Sequence, residues 1–156
     1  MKKTTHQQGF SLIELLIVVA IIGIVAAIAI PNLIASRRAS NEASATASIR
    51  TLTSSEATYA ATIGNGVYAD LSALKGQGLI DEVLGRSTKS GYNFAATPSV
   101  SGTMNVYVTG AAPSNIGAGT ATGTRQFTSD TTGVIYAAPA ASTTVPNATS
   151  GNPLGN

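Results

Sequence analysis

The chain has 156 residues, of which 44% are hydrophobic, 10% charged and 5% aromatic; this suits one domain with a modest core and argues against charge-driven disorder. The net charge of +2 is supplied by Lys2 and Lys3, so the sequence does not indicate the basic face of a nucleic-acid-binding protein. Cysteine is absent and His6 is the only histidine, which excludes disulfides, thiolate metal sites, a cysteine nucleophile and a histidine-based triad or metal cluster.

The first predicted element is an apolar helix from Phe10 to Ile30, in which Glu14 is the only charged residue. At 1.5 Å per residue, the helix spans roughly 30 Å, the thickness of a bilayer core. Because Lys2 and Lys3 precede it, the positive-inside rule predicts a single membrane crossing with a cytoplasmic N-terminus.

The composition of this helix leaves three interpretations open. A secretory signal peptide would be cleaved after Ala29, but the run is longer than the usual signal-peptide core and contains a carboxylate. A plain signal anchor accounts for the length and leaves Glu14 unexplained. A segment retained for assembly accounts for both features, since an intramembrane carboxylate is costly unless it finds a partner.

Glu14 has a candidate partner in another copy of the chain. Cleavage between Gly9 and Phe10 would create an α-amino group, and opposite charges attract strongly at low dielectric once desolvation is offset. The alternative is a carboxyl group that reaches the lipid head groups or is protonated.

The residues that surround Glu14 resemble the class III signal of type IV pilins and of type II secretion pseudopilins. The matching features are the basic leader, Gly9-Phe10, the acid four positions after Phe10, and an apolar run that ends at Pro31. The resemblance implies cleavage after Gly9 by an inner-membrane prepilin peptidase that also N-methylates Phe10. It assigns subunit assembly to Glu14.

The same resemblance implies a structural subunit that is not an enzyme and needs no cofactor or metal. Its partners would be other copies in a helical homopolymer, the prepilin peptidase and N-methyltransferase, an inner-membrane platform protein, an assembly ATPase, and membrane lipid before assembly. The filament would be an extracellular pilus used for adhesion, twitching motility or DNA uptake. A type II secretion pseudopilin in a periplasmic filament is the alternative, which the leader does not separate.

The helix is predicted to continue through an amphipathic half, residues 31–63, and to end at Gly64-Asn65-Gly66. The helix from Phe10 to Ile63 would be roughly 80 Å long, so its first half must be buried in lipid or in other subunits. Pro31 removes a backbone hydrogen bond and Gly23 is a second weak point, and the resemblance implies that this stretch can lose helicity in a filament. The predicted core stripe is Ile49, Leu52, Tyr59 and Ile63, and the predicted solvated or intersubunit face is Arg37, Arg38, Glu42 and Arg50.

A globular head is predicted for residues 64–136. Two short helical turns are expected at 68–74 and 79–84, with Asp70, Asp81 and Glu82 as helix N-terminal carboxylates rather than calcium ligands. Strands are expected at 92–94, 104–108, 125–128 and 134–136, the last two joined by a turn. The predicted apolar face of the sheet is Tyr92, Phe94, Val106, Val108, Phe127 and Ile135.

The predicted fold class is α+β, with a long N-terminal hydrophobic helix packed against an antiparallel sheet of three to four strands. The predicted divisions are a cleaved leader at 1–9, a membrane or filament-core half of the helix at 10–30, an amphipathic half at 31–63, the head at 64–136 and a flexible tail at 137–156. The tail is rich in Ala, Ser, Thr, Pro and Asn and has no hydrophobic period.

Overall fold

The computed structural model describes residues 9–154, so Lys2, Lys3, His6 and the predicted leader before Gly9 lie outside the described residues. The elements are α1 (Leu12–Thr62), α2 (Leu71–Gly76), α3 (Glu82–Gly85), β1 (Thr88–Lys89), β2 (Tyr92–Ser101), β3 (Met104–Pro113), β4 (Arg125–Asp130), β5 (Ile135–Pro139) and β6 (Asn152–Pro153). The predicted α+β class is confirmed. Two compact units are present, one that ends at Ser36 and one from Arg37 onward.

The first unit contains the N-terminal half of α1, which is apolar and exposed. This half includes a stretch with a mean hydropathy of 3.1, long and apolar enough to cross a membrane. Pro31 lies inside the helix. Because proline has no N–H, the carbonyl of Ala27 loses its helical donor, while the Asn32 side chain donates to the carbonyl of Ile28 at 3.2 Å.

In the second unit, α1 contributes a buried stripe to the core. Ala45, Ile49 and Leu52 are fully buried and face the sheet, at the spacing of three and four residues that keeps side chains on one helix face. Tyr59 is partly buried against the same core. The prediction for Ile63 is wrong, because α1 ends at Thr62 and the Ile63 side chain is 43% exposed.

The end of α1 follows the predicted glycine signal. The N–H groups of Ile63 and Gly64 both donate to the carbonyl of Tyr59, at 2.9 and 2.8 Å. Asn65 and Gly66 then adopt φ values of 47° and 86°, in the left-handed region that glycine and asparagine tolerate best. The chain therefore leaves the helix where the sequence predicts.

Two aspartates cap the short helices that follow. Asp70 accepts a hydrogen bond from the Ala73 N–H at 2.7 Å, and Asp81 accepts one from the Leu84 N–H at 2.6 Å. Each carboxylate satisfies an N–H that the first helical turn leaves without a partner. The prediction that Asp70 and Asp81 are helix N-terminal carboxylates is confirmed.

The sheet has six antiparallel strands in the order β1-β2-β3-β4-β5-β6, not three to four. The two additional strands, β1 and β6, have two residues each, which is too short for an alternating pattern to be visible in the sequence. The predicted hairpin between β4 and β5 is confirmed. Gly133 takes φ 75° in its turn and donates to the carbonyl of Asp130 at 2.9 Å.

The core face of β3 differs from the prediction. Val106 and Val108 are only partly buried, whereas Tyr107 is buried and Thr109 and Ala111 are fully buried. Register explains the difference, since Ala111 lies between Phe94 of β2 and Phe127 of β4 in one cross-strand row. A small residue in β3 leaves room for the two aromatic rings beside it, so the valines occupy the other face.

Residues 143–154 lie across the sheet, on the face opposite Phe94 and Phe127; we call them the C-terminal strap. The carbonyl of Thr143 accepts from Asn93 of β2, Pro146 lies against Gly110 of β3, and the Ser150 N–H donates to Thr128 of β4. The strap ends as β6 beside β5, where the Leu154 N–H donates to the carbonyl of Ile135 at 2.7 Å. The segment predicted as a flexible tail is 137–156, yet its first residues belong to β5 and the backbone of the strap contacts four strands.

Candidate assembly site

The predicted assembly residue, Glu14, lies in the first turn of α1. Its Oε2 accepts a hydrogen bond from the Ser11 backbone N–H at 2.9 Å. This is one half of a capping box, in which an acid at the third helical position reaches back to the residue that precedes the helix. The contact uses only the backbone of Ser11, and no ion pair within residues 9–154 includes Glu14.

The carboxylate of Glu14 stands in an apolar and exposed surface. From Phe10 to Leu33, the large hydrophobic side chains of this unit are between 49% and 84% exposed. Such a continuous surface is far larger than the scattered apolar residues that soluble domains leave in water, and it therefore marks contact with lipid or with other protein. Within residues 10–30, Glu14 is the only group with a formal side-chain charge.

The other predicted residues of this segment are in open surroundings. Phe10 is 84% exposed. Among residues 9–154, a Cβ added to Gly9 or to Gly23 would meet no atom within 4 Å, so packing within this part of the chain does not require glycine at either position. α1 runs through both Gly23 and Pro31 without interruption.

A second acid, Glu42, fastens α1 to the start of β4. The Glu42 side chain is buried and accepts from the backbone N–H and the hydroxyl of Thr124, at 2.8 and 2.7 Å, and from the Arg125 Nε at 2.8 Å. Burial alone would raise the pKa of this carboxyl, but these hydrogen bonds and the Arg125 charge lower it below its usual value.

The arrangement around Glu42 corrects one sequence prediction. Glu42 is not on a solvated face, and Arg38 donates to the carbonyl of Ala121 at 3.1 Å. Arg37 and Arg50 are exposed, in agreement with that prediction. The loop before β4 is therefore held on α1 by polar contacts, to which Asn41 adds a bond to the carbonyl of Thr122 at 2.9 Å.

Sequence reasoning missed two buried acids, Glu42 and Glu56. Both lie on the same helical face as Ala45, Ile49 and Leu52, because the spacing along the five positions alternates between three and four residues. This spacing indicates that the two acids share the buried face, although acidic side chains are rarely buried. Within residues 9–154, no group of three or more His, Asp or Glu side chains is placed to hold a metal ion.

Three comparisons with known proteins bear on this segment. Residues 4–30 match the family model described as "Prokaryotic N-terminal methylation motif". The chain is 57% identical over 42 residues to the "Type IV wide pilus major component PilA4" of Thermus thermophilus, which covers 27% of this chain and 32% of the relative. It is 48% identical over 54 residues to the "Type IV major pilin protein PilA" of Myxococcus xanthus, covering 35% of this chain and 24% of the relative.

These matches have a limited extent. The aligned segments span only about a quarter to a third of the lengths of the curated relatives. No solved structure matches the chain. Neither curated name describes an enzyme. The resemblance drawn from the leader, Gly9-Phe10 and Glu14 is nevertheless confirmed: the chain begins with a prokaryotic N-terminal methylation motif and is similar to type IV pilins.

Proposed function

We propose that this protein is the structural subunit of a type IV pilus and catalyses no reaction. The observation that carries the proposal is the exposed apolar half of α1 with Glu14 in its first turn. Before assembly, this half would cross the inner membrane once, with the N-terminus in the cytoplasm. In the filament, the same surface would be buried against other copies of the chain.

Processing would precede assembly. A prepilin peptidase would cleave after Gly9 and N-methylate Phe10, which leaves a positively charged terminus four residues before Glu14. The open surroundings of Gly9 among residues 9–154 support its role in cleavage, because the need for glycine there would come from close approach of the peptidase and not from packing within the described part of the chain. A platform protein and an assembly ATPase would then move the subunit out of the bilayer.

Glu14 would set the register of the filament by pairing with the α-amino group of a neighbouring copy. In the single chain, its carboxylate is already bonded to the Ser11 N–H, so the helix start does not depend on a neighbour. An ion pair at low dielectric adds attraction between copies, and a carboxylate left unpaired in that surface would be strongly penalised.

The test uses variants that separate charge from capping. Glu14→Gln removes the charge but keeps an oxygen that can accept from the Ser11 N–H, so helix formation and membrane insertion should persist while filaments are lost. Ser11→Ala is the matched control, since the contact uses the backbone N–H, and it should assemble. The measurement is electron microscopy and immunoblotting of sheared surface material, with membrane fractions blotted for insertion. Normal filaments from Glu14→Gln would refute the charge-pairing role.

Surface microscopy also separates the two kinds of filament. Long extracellular fibres that contain this chain are expected for a pilin and would support adhesion, motility or DNA uptake as their use. Confinement of the processed chain to short periplasmic structures would contradict the pilin proposal and favour a secretion pseudopilin.

A further inference from the structure

Glu56 is a buried acid for which the proposed assembly has no use. Its side chain is fully buried in the face of α1 that packs on the head. Oε2 accepts a hydrogen bond from the Ala69 N–H at 2.9 Å, and Oε1 has no hydrogen-bond partner among residues 9–154. None of the ion pairs in this part of the chain includes Glu56.

The ionisable groups nearest to Glu56 are Asp70 and Tyr107, and two more, Tyr68 and Asp130, lie close to Tyr107. Asp70 caps α2 directly after Ala69, Tyr107 belongs to β3, and the Tyr68 ring packs at a tilt against the Tyr107 ring with centroids 4.6 Å apart. Burial and the charge of Asp130, at the end of β4, both raise the pKa of Tyr107. These groups are acids or phenols, so within the described part of the chain ionised Glu56 meets repulsion from Asp70 and no compensating cation.

Protonation is therefore coupled to the packing of α1 on α2. Burial, aided by the Asp70 carboxylate and opposed by the hydrogen bond from Ala69, raises the pKa of Glu56 to about 7. Ala69 leads directly into Leu71 and Leu74 of α2, which are buried in the core. A charge on Glu56 thus acts on the contact that brings α2 to the helix.

We propose that Glu56 is a proton-dependent latch, which as a neutral acid holds residues 69–74 against α1 and on ionisation loosens that contact. The latch belongs to the head of each single chain and is independent of the proposed filament. Its chemistry needs only the gain or loss of one proton at the carboxyl group.

The direction of the pH effect follows from linkage. A carboxyl group whose pKa is higher in the folded chain than the ordinary 4.5 stabilises the fold fully below 4.5, and this contribution is lost as pH rises through about 7. Between pH 5 and pH 8 these two values correspond to a roughly 70-fold increase in the unfolding equilibrium constant. The head should therefore be more stable in mildly acidic than in mildly alkaline solution.

The direct test is ¹³C NMR of the full chain in detergent micelles with labelled glutamate side chains. The Glu56 carboxyl resonance should titrate with a midpoint near pH 7, and the Ala69 amide resonance should move with the same midpoint. A Glu56 midpoint between pH 4 and pH 5, or an Ala69 amide that does not follow it, would overturn the proposal. The titration uses the unaltered chain, so it does not depend on the folding of a variant.

A variant provides the second test. Glu56→Gln keeps an acceptor for the Ala69 N–H but cannot ionise, so its stability between pH 5 and pH 8 should lack the roughly 70-fold change. Glu82→Gln is the matched control, because Glu82 is exposed and bonded to Arg86, and it should keep the slope of the unaltered chain. A Glu56→Gln variant that retained the full loss of stability at pH 8 would also overturn the proposal.

Discussion

Replacement of Glu42 by alanine tests how strongly the head is fastened to α1. The substitution removes the carboxylate that accepts three hydrogen bonds, so the N–H and hydroxyl of Thr124 and the Arg125 side chain lose their acceptor. Hydrogen bonds to a charged group contribute about 1.5–3 kcal/mol each, but Arg125 is half-exposed and can be rehydrated, so its ion pair counts for little. We expect Glu42→Ala to lower the free energy of unfolding by about 3 kcal/mol and Tm by roughly 10 °C.

The assay is thermal unfolding of the full chain in detergent micelles, followed by near-ultraviolet circular dichroism. Glu42→Gln keeps one acceptor for Thr124 and should lose about half as much stability as the alanine variant. Glu82→Gln, which alters an exposed ion pair, should change stability by less than about 1 kcal/mol. A Glu42→Ala variant that melts within about 2 °C of the unaltered chain would refute the assignment of this acid as a fastening point.

The same acid carries a pH dependence of opposite sign to that of Glu56. Because the pKa of Glu42 is lowered in the folded chain, its contribution is present above the ordinary value of 4.5 and is lost as pH falls through the folded value. The difference in Tm between Glu42→Ala and the unaltered chain should therefore shrink in acid. An unchanged difference at low pH would contradict the role of the carboxylate charge.

Two further substitutions and one exchange measurement test separate parts of the molecule. Gly110→Val places a side chain where an added Cβ would be 2.6 Å from the carbonyl oxygen of Pro146. The substitution should lower the free energy of unfolding by about 1–3 kcal/mol and raise the hydrogen exchange of the C-terminal strap. Unchanged exchange there would show that the strap does not pack on β3. Asp81→Ala removes a helix cap and an ion pair with Lys89 and should cost about 1 kcal/mol near neutral pH. The hydrogen bond from the Lys89 side chain, the cap bond from the Leu84 N–H and the Lys89 charge lower the pKa of Asp81 despite its slight burial. The cost of Asp81→Ala should therefore fade as pH drops below 3.8, and a cost that persists in acid would contradict the role of the Asp81 charge. Amides of residues 23–31 should exchange faster in assembled filaments than those of the flanking turns, and equal protection would argue against local melting.

The sequence predicted the elements whose causes are local. Asp70 and Asp81 precede short helical runs, and an aspartate at that position satisfies a free N–H whatever the rest of the chain does. The end of α1 was also predictable from a local cause, because Asn65 and Gly66 tolerate the left-handed backbone that ends the helix. In the candidate site, Glu14 was identified as an isolated acid in an apolar run, while its bond to Ser11 follows from a spacing of three residues.

Features that depend on distant partners were not predictable in this way. Along β3, the valines and the core residues occupy alternate positions, so the alternating pattern alone fits burial of either face. Only the pairing of Ala111 with Phe94 and Phe127 selects the buried face. The C-terminal strap contacts the sheet through backbone hydrogen bonds and a few isolated side chains, so no hydrophobic period marks it. Glu42 is buried because Thr124 and Arg125 meet it from more than 80 residues away.

The N-terminus of the mature protein tests the central claim most directly. Mass spectrometry of the chain isolated from sheared surface material should find a first residue of N-methylated Phe10. A chain that still begins at Met1, or one that begins at Ile30 after signal-peptide cleavage, would contradict the account of an exposed helix processed for assembly with its own copies.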